Sequence, residues 1–227
     1  MTEVPPARDS TAVTSAEIRA VAADALRGVA DGDGMDDLTA ALIGLSVRAV
    51  ATTMDVEGSE RYIRVALAAG ATSAQVQEVL TVVAAIGVHT FFESSRQLAR
   101  IAAELDPADS TAPATVDREL WARYVGDDPY WARVEVEVPG FFDALLRMSP
   151  HAFGAFFEFC SVPWKSRTVP ALTKELVSLA CDATPGHRYL PGFRLHLANA
   201  VELGAGARIV RDALCIAEKT PMHRGVR

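Results

Sequence analysis

The sequence predicts an all-α chain built from two helical units in tandem, and three observations carry that reading. Apolar residues recur at i, i+3 and i+4 in one segment after another, the spacing of amphipathic helices. Helix-start and helix-stop residues punctuate those segments. The chain also resembles itself at an offset of 134 residues: Leu38-Thr39 falls on Leu172-Thr173, Leu42 and Leu45 on Leu176 and Leu179, and Gly70-Ala71 on Gly204-Ala205. The offset further pairs Gly58 with Gly192, Val76 with Val210, Leu80 with Leu214 and His89 with His223. Glycines at helix boundaries that stay in register mark a duplicated unit rather than a shared composition.

Taken in order, residues 1–13 hold two prolines and no periodicity, and are expected to be disordered or loosely attached. Thr14 and Glu17 form a capping box for a helix through Arg27, closed by Gly28. After a glycine–aspartate turn at 31–37, helical patterns run over 38–53, 58–69 and 72–105. Thr72 and Gln75 cap the last of these, and Gly87 divides or bends it. The first unit thus occupies 14–105. Residues 106–115, D-P-A-D-S-T-A-P-A-T, read as a linker, and the second unit occupies 116–227. That unit opens with a helix over 116–125 and a Gly-Asp-Asp-Pro turn. Residues 131–138 contain V-E-V-E-V, but no partner strand is evident, so an extended connection or a helix start is expected. Helices over 139–148 and 149–160 follow, the second with Ser149 as N-cap and Pro150 at its first position.

The chain has 227 residues, half of them hydrophobic, enough to bury one large core or two modest ones. A net charge of −7 and the absence of a basic stripe exclude a nucleic-acid partner. The longest apolar run, 79–88, is short of the roughly 20 residues of a membrane span, and residues 1–10 have no apolar signal core. Three widely spaced cysteines fit reduced thiols, so a cytoplasmic location is expected, with no membrane partner.

Chemistry concentrates between Pro170 and Ala205. A helix carries Leu172, Leu176, Leu179 and Ala180 on one face and stops at Pro185-Gly186. The loop His187-Arg188-Tyr189 leads to Pro191, suited to a new helix that places Phe193, Leu197 and Val201 inward. The run L-T-K-E-L-V-S-L-A-C-D-A, a loop, then H-L-A-N-A-V-E-L-G-A, preceded by L-L-R-M-S-P-H-A-F-G-A-F-F-E-F, resembles the carboxymuconolactone decarboxylase family, whose fold the alkylhydroperoxidase D-type proteins share. The resemblance spans about 140–218 and, more weakly, 36–104. It implies an all-helical fold and homo-oligomeric assembly. Family members commonly assemble as trimers or hexamers of single units, so a tandem chain is expected to need fewer copies, a dimer or a trimer.

The redox branch of that family uses a C-x-x-C pair, a histidine four residues after it and a glutamate on the preceding helix. His196 falls at the histidine position and Glu175 at the glutamate, but Tyr189 and Gly192 stand where the cysteines would be. Thiol peroxidase chemistry needs an attacking and a resolving thiol, so the resemblance points to the acid–base branch. His187, Gly192 and His196 follow the H-x-x-x-x-G-x-x-x-H spacing of non-redox members.

The expected function is cofactor-independent acid–base catalysis, of decarboxylase or isomerase type, on a small organic acid, lactone or related carbonyl compound. His196 would be the general acid or base, His187 its partner and Glu175 the orienting carboxylate. Tyr189, Arg188, Arg194 and Trp164 are candidate substrate contacts. Cys181 is expected to be a core residue, and no metal is expected, since no H-x-x-x-H or H-E-x-x-H spacing is present. The alternatives are a non-catalytic binding or assembly protein on the same fold and a metal-dependent hydrolase or lyase. In the first unit Ala41, Thr53 and Tyr62 stand opposite Glu175, His187 and His196, so the site is expected in the second unit alone.

Overall fold

A computed structural model describes residues 12–105 and 115–226, and all regular structure among them is helical. The expected linker lies outside the described residues except Thr115, and of the expected loose N-terminus only Ala12 and Val13 lie inside. The first unit contains α1 (Ser15–Ala25), α2 (Asp37–Ala49), α3 (Val56–Ala68), α4 (Ser73–Ala85) and α5 (His89–Leu105). The second contains α6 (Thr115–Tyr124), α7 (Pro129–Glu137), α8 (Phe141–Met148), α9 (Pro150–Ser166), α10 (Ala171–Ala183), α11 (Leu190–Glu202) and α12 (Ala207–Glu218). The starts of α2, α3 and α4 differ from those of α10, α11 and α12 by 134 residues in every case.

Local chemistry sets the helix ends. Thr14, Asp36, Asp55, Thr72, Asp128 and Ser149 each accept a backbone N–H from the first turn they precede, satisfying donors that have no partner inside the helix. Thr72 and Gln75 make the full reciprocal box. Gly87 sits in a short 3₁₀ turn, Ile86–Val88, that separates α4 from α5. Residues 131–137 are helical rather than extended, with Val138 as the C-cap. Asp128 caps α7 and Pro129 occupies its first turn, which outweighs the alternating valines, of which Val134 and Val138 are buried.

α10 is buried on nearly every side, from Thr173 through Ala183, and packs against α2, α4, α11 and α12. Around it lies one apolar cluster that takes residues from both units, including Ile43, Leu45, Val79, Leu176, Leu179, Phe193 and Val210. A second cluster, rich in phenylalanine, joins Phe92 of α5 to Val134, Phe141, Phe142, Phe153, Phe156, Phe157 and Leu195. Its rings meet mostly edge to face at 4.5–6.2 Å, the arrangement the aromatic quadrupole favours. Leu42 of α2 is 2% exposed in the first cluster. Leu42→Ala is expected to lower the free energy of unfolding by about 2–5 kcal/mol in a denaturant titration.

By length and composition, the helical stretch Ser73–Leu105, with mean hydropathy 1.3, is long and apolar enough to cross a membrane. In this fold it is a core element: Val76, Val79, Val82 and Val83 pack in the first cluster and Phe92 in the second. One buried ion pair ties the two units. Glu78 of α4 accepts from Lys174 Nζ at 2.7 Å, from the hydroxyls of Ser166 and Thr168, and from the backbone N–H groups of Thr168 and Val169. Lys174 also donates to the Pro163 carbonyl at 2.8 Å and lies over the Trp164 ring. Lys174 immediately precedes Glu175, so this pair helps fix the helix that carries the candidate acid–base residue.

Candidate functional site

A cavity of about 560 Å³ opens at the seam between the two apolar clusters. Its walls are mainly apolar: Val82, Ile86, Phe92, Trp131, Val134, Phe156 and Trp164. The polar groups that reach it include His89, Arg133, Glu175, Ser178, His196 and Asn199, with Asp128 and Glu202 also on the lining. An apolar cleft with a small convergent polar set is the usual form of a small-molecule site.

His196 and Glu175 meet there. Their helices α10 and α11 pack closely, and the ring Nδ1 lies 2.6 Å from Glu175 Oε2. A carboxylate offers only acceptors, so Nδ1–H donates and Nε2 is the ring nitrogen left for a ligand. Asn199, three residues on, donates through Nδ2 to Glu175 Oε1 at 3.3 Å, and its Oδ1 is buried without a partner. Burial pushes His196 down, but the charge and hydrogen bond of Glu175, with Asp182 beyond, outweigh it and raise the pKa above the ordinary 6.5.

His187 does not pair with His196. Its Nε2 lies 2.8 Å from Nδ1 of His89, the first residue of α5, and both nitrogens face Asp182 Oδ1, at 3.5 and 3.6 Å. Asp182 is wholly buried and neither of its carboxylate oxygens has a hydrogen-bond partner. Gly192 lines the pocket directly in front of it; a Cβ at that position would run into the Asp182 carboxylate. Burial pushes His89 down to about 4 against the pull of Asp182, so its imidazole is neutral around pH 7. Tyr189 stacks on His89 at 4.1 Å and donates its hydroxyl to Glu93.

The other expected substrate contacts divide. Trp164 lines the pocket, whereas Arg188 does not, and Arg194 is engaged with Glu137 at 2.7 Å away from it. The arginine on the pocket wall is Arg133 of α7, which binds Glu202 through Nη1 and has a buried Nε with no partner. His196 and Glu175 both lie in the second unit, but the wall of their pocket is shared with the first. Val82, Ile86, His89 and Phe92 come from the first unit and line the same pocket.

The equivalent position in the first unit is filled. Tyr62 takes the place of His196 and Arg48 that of Asp182, and the guanidinium sits 4.2 Å from the tyrosine ring. The same ring occupies the space a side chain at Gly44 would need. Arg48 also donates to the Gly44 carbonyl at 2.9 Å.

Cys181 is completely buried, and burial pushes its thiol up to about 12, as it does for Cys160 on the pocket wall. Cys215 is exposed. A thiol reagent at pH 7.5 is therefore expected to label the native protein at Cys215 alone, read by peptide mass mapping, and to leave the pocket chemistry intact. Fast labelling of Cys160 or Cys181 would contradict the burial that holds them protonated.

One solved structure resembles the chain over most of its length. It is described as a "putative gamma-carboxymuconolactone decarboxylase subunit" from Burkholderia xenovorans LB400, with 33% sequence identity and a TM-score of 0.68. The alignment covers 81% of this chain and 71% of that one. No family model and no curated protein matches the chain.

Proposed function

The chain belongs to the carboxymuconolactone decarboxylase family, and from that premise we propose that it is an acid–base enzyme of decarboxylase or isomerase type acting on a small carboxylated carbonyl compound or lactone. One observation carries the proposal: a carboxylate–imidazole pair at 2.6 Å, with a free ring nitrogen, on the wall of an otherwise apolar cavity. The description of the Burkholderia protein as a decarboxylase subunit agrees with it.

The chemistry follows from the groups present. The Nε–H of Arg133, without a protein partner, receives a substrate carboxylate, and the unpaired Oδ1 of Asn199 accepts from a substrate hydroxyl. In a decarboxylation the carbon–carboxyl bond breaks, carbon dioxide leaves, and the bonding electrons remain on the substrate as an enolate. The His196 imidazolium, stabilised by Glu175, delivers its proton to that carbon and is reprotonated from water. In an isomerisation neutral His196 first removes a proton beside the carbonyl and returns it elsewhere. The apolar walls strengthen each of these electrostatic interactions by excluding water.

A panel of small carboxylated lactones and keto acids, followed by carbon dioxide release and product analysis, tests the proposal. Turnover by the wild type and its loss in His196→Ala is the expected result. Turnover that survives His196→Ala, or a complete absence of turnover in a panel whose members bind, would refute it.

A further inference from the structure

We propose that His89, Asp182 and His187 form a binding site for one divalent transition-metal ion, beside the acid–base pocket and distinct from the His196–Glu175 pair. Three donor atoms define it: His89 Nδ1, His187 Nε2 and Asp182 Oδ1. The sides of their triangle are 2.8, 3.5 and 3.6 Å. A point equidistant from all three lies about 1.9 Å from each, close to the 2.0–2.2 Å at which zinc binds imidazole nitrogen and carboxylate oxygen. An ion seated slightly out of that plane meets all three at ligand distance with no rearrangement of the chain.

The second observation is independent of this spacing. Asp182 is 0% exposed, and its carboxylate accepts no hydrogen bond from any described group. At 3.5 Å and beyond the two imidazoles are too distant to supply one. A buried carboxylate without a partner is costly, and the contact between the two rings absorbs only one N–H. A single proton can satisfy one edge of the triangle, whereas a cation at its centre satisfies all three corners. Two nitrogen donors and one oxygen select the zinc, cobalt or iron(II) class over magnesium or calcium, which prefer all-oxygen shells.

The surrounding residues support that geometry. Gly192 leaves room for the Asp182 carboxylate, and Tyr189 stacks on His89 and fixes its ring plane. The first unit has no such site, because Arg48 stands at the position of Asp182. The ligands come from α5, α10 and the loop before α11, so the ion would bind the two units to each other. The short spacings within the second unit contain no metal motif because the third ligand lies about a hundred residues upstream.

The test uses the tag-free full chain, stripped with a chelator and titrated with Zn²⁺ and separately with Co²⁺. One equivalent per chain is expected, with a rise in Tm and, for Co²⁺, the visible bands of a low-coordinate site. Asp182→Asn should weaken binding by more than roughly 100-fold, exceeding the loss from an outer partner. In the metal-free state the same variant should melt no lower than wild type, because it removes a buried charge with no partner. His187→Ala, in the loop, serves as a second variant should Asp182→Asn fail to fold, and Glu175→Gln should bind the ion as wild type does. Failure of the stripped wild type to take up an ion at micromolar concentration would overturn the site. So would retention of full affinity in Asp182→Asn or His187→Ala. Neither outcome depends on turnover, so the acid–base proposal stands or falls separately.

Discussion

Glu175→Gln is expected to lower kcat by roughly 10²–10⁴-fold, the usual contribution of a positioned acid–base group, while leaving the fold intact. Glutamine preserves the shape of the side chain and can still accept from His196 Nδ1, so His196 keeps its place. The charge is what disappears. In the wild type that charge overcomes the burial of His196 and holds its pKa above 6.5. Without it burial prevails, and the imidazole should titrate at lower pH than in the wild type. Histidine ring protons followed by NMR across pH 5–9 read this directly, without a substrate. The sign carries over to stability: because the folded pKa is raised, the His196 contribution is fully present below about pH 6.5 and fades as pH rises through the folded value. Glu175→Gln should abolish that alkaline decline. An unmoved His196 titration, or unchanged turnover beside a large fall in Tm, would make the pair a structural ion pair.

Much of this arrangement was legible in the sequence. The α2–α4 and α10–α12 triplets announce themselves through leucines and boundary glycines that repeat at one offset. The repeat works because a helix end needs a particular backbone geometry wherever it recurs: Gly70 and Gly204 both adopt positive φ. The convergence of Glu175 and His196 was expected because they fall at the glutamate and histidine positions of the family motif that the sequence resembles. Three residues were not legible. His89 follows the 3₁₀ turn after α4, and its counterpart at the same offset, His223, is exposed beyond α12. Internal symmetry therefore gave no reason to place His89 in a site. Arg133 directly precedes V-E-V-E-V, where strand-like alternation hides a helix started by Asp128 and Pro129. Asp182 could have been flagged, since an aspartate within the apolar run L-V-S-L-A-C-D-A must find a partner if that helix is central. Its partners come from another unit and a loop, and no local spacing discloses such a meeting.

Glu78→Gln is expected to destabilise the protein by about 3–5 kcal/mol, the cost of breaking a buried ion pair on one side. The variant leaves the Lys174 ammonium 2–3% exposed with no opposite charge, facing only neutral acceptors and the Trp164 ring. The wild-type pair also dictates an acid limb. Burial pushes Glu78 up, but Lys174, Ser166 and Thr168 together hold it down to about 2, against 4.5 ordinarily. A carboxylate depressed in the folded state binds fewer protons there than in the unfolded chain, so its stabilisation is complete above about pH 4.5. It is lost as pH falls through about 2, a contribution of about 3 kcal/mol. Urea titrations between pH 6 and pH 2 should show that loss in wild type and a shallower slope in Glu78→Gln. Adding Lys174→Met should recover part of the stability by removing the orphaned charge. The recovery stays incomplete, because Thr168 and Val169 each direct a backbone N–H at Glu78 and still face an amide in place of a carboxylate. A Glu78→Gln protein as stable as wild type at pH 7 would mean that this ion pair adds nothing net to the joining of the two units.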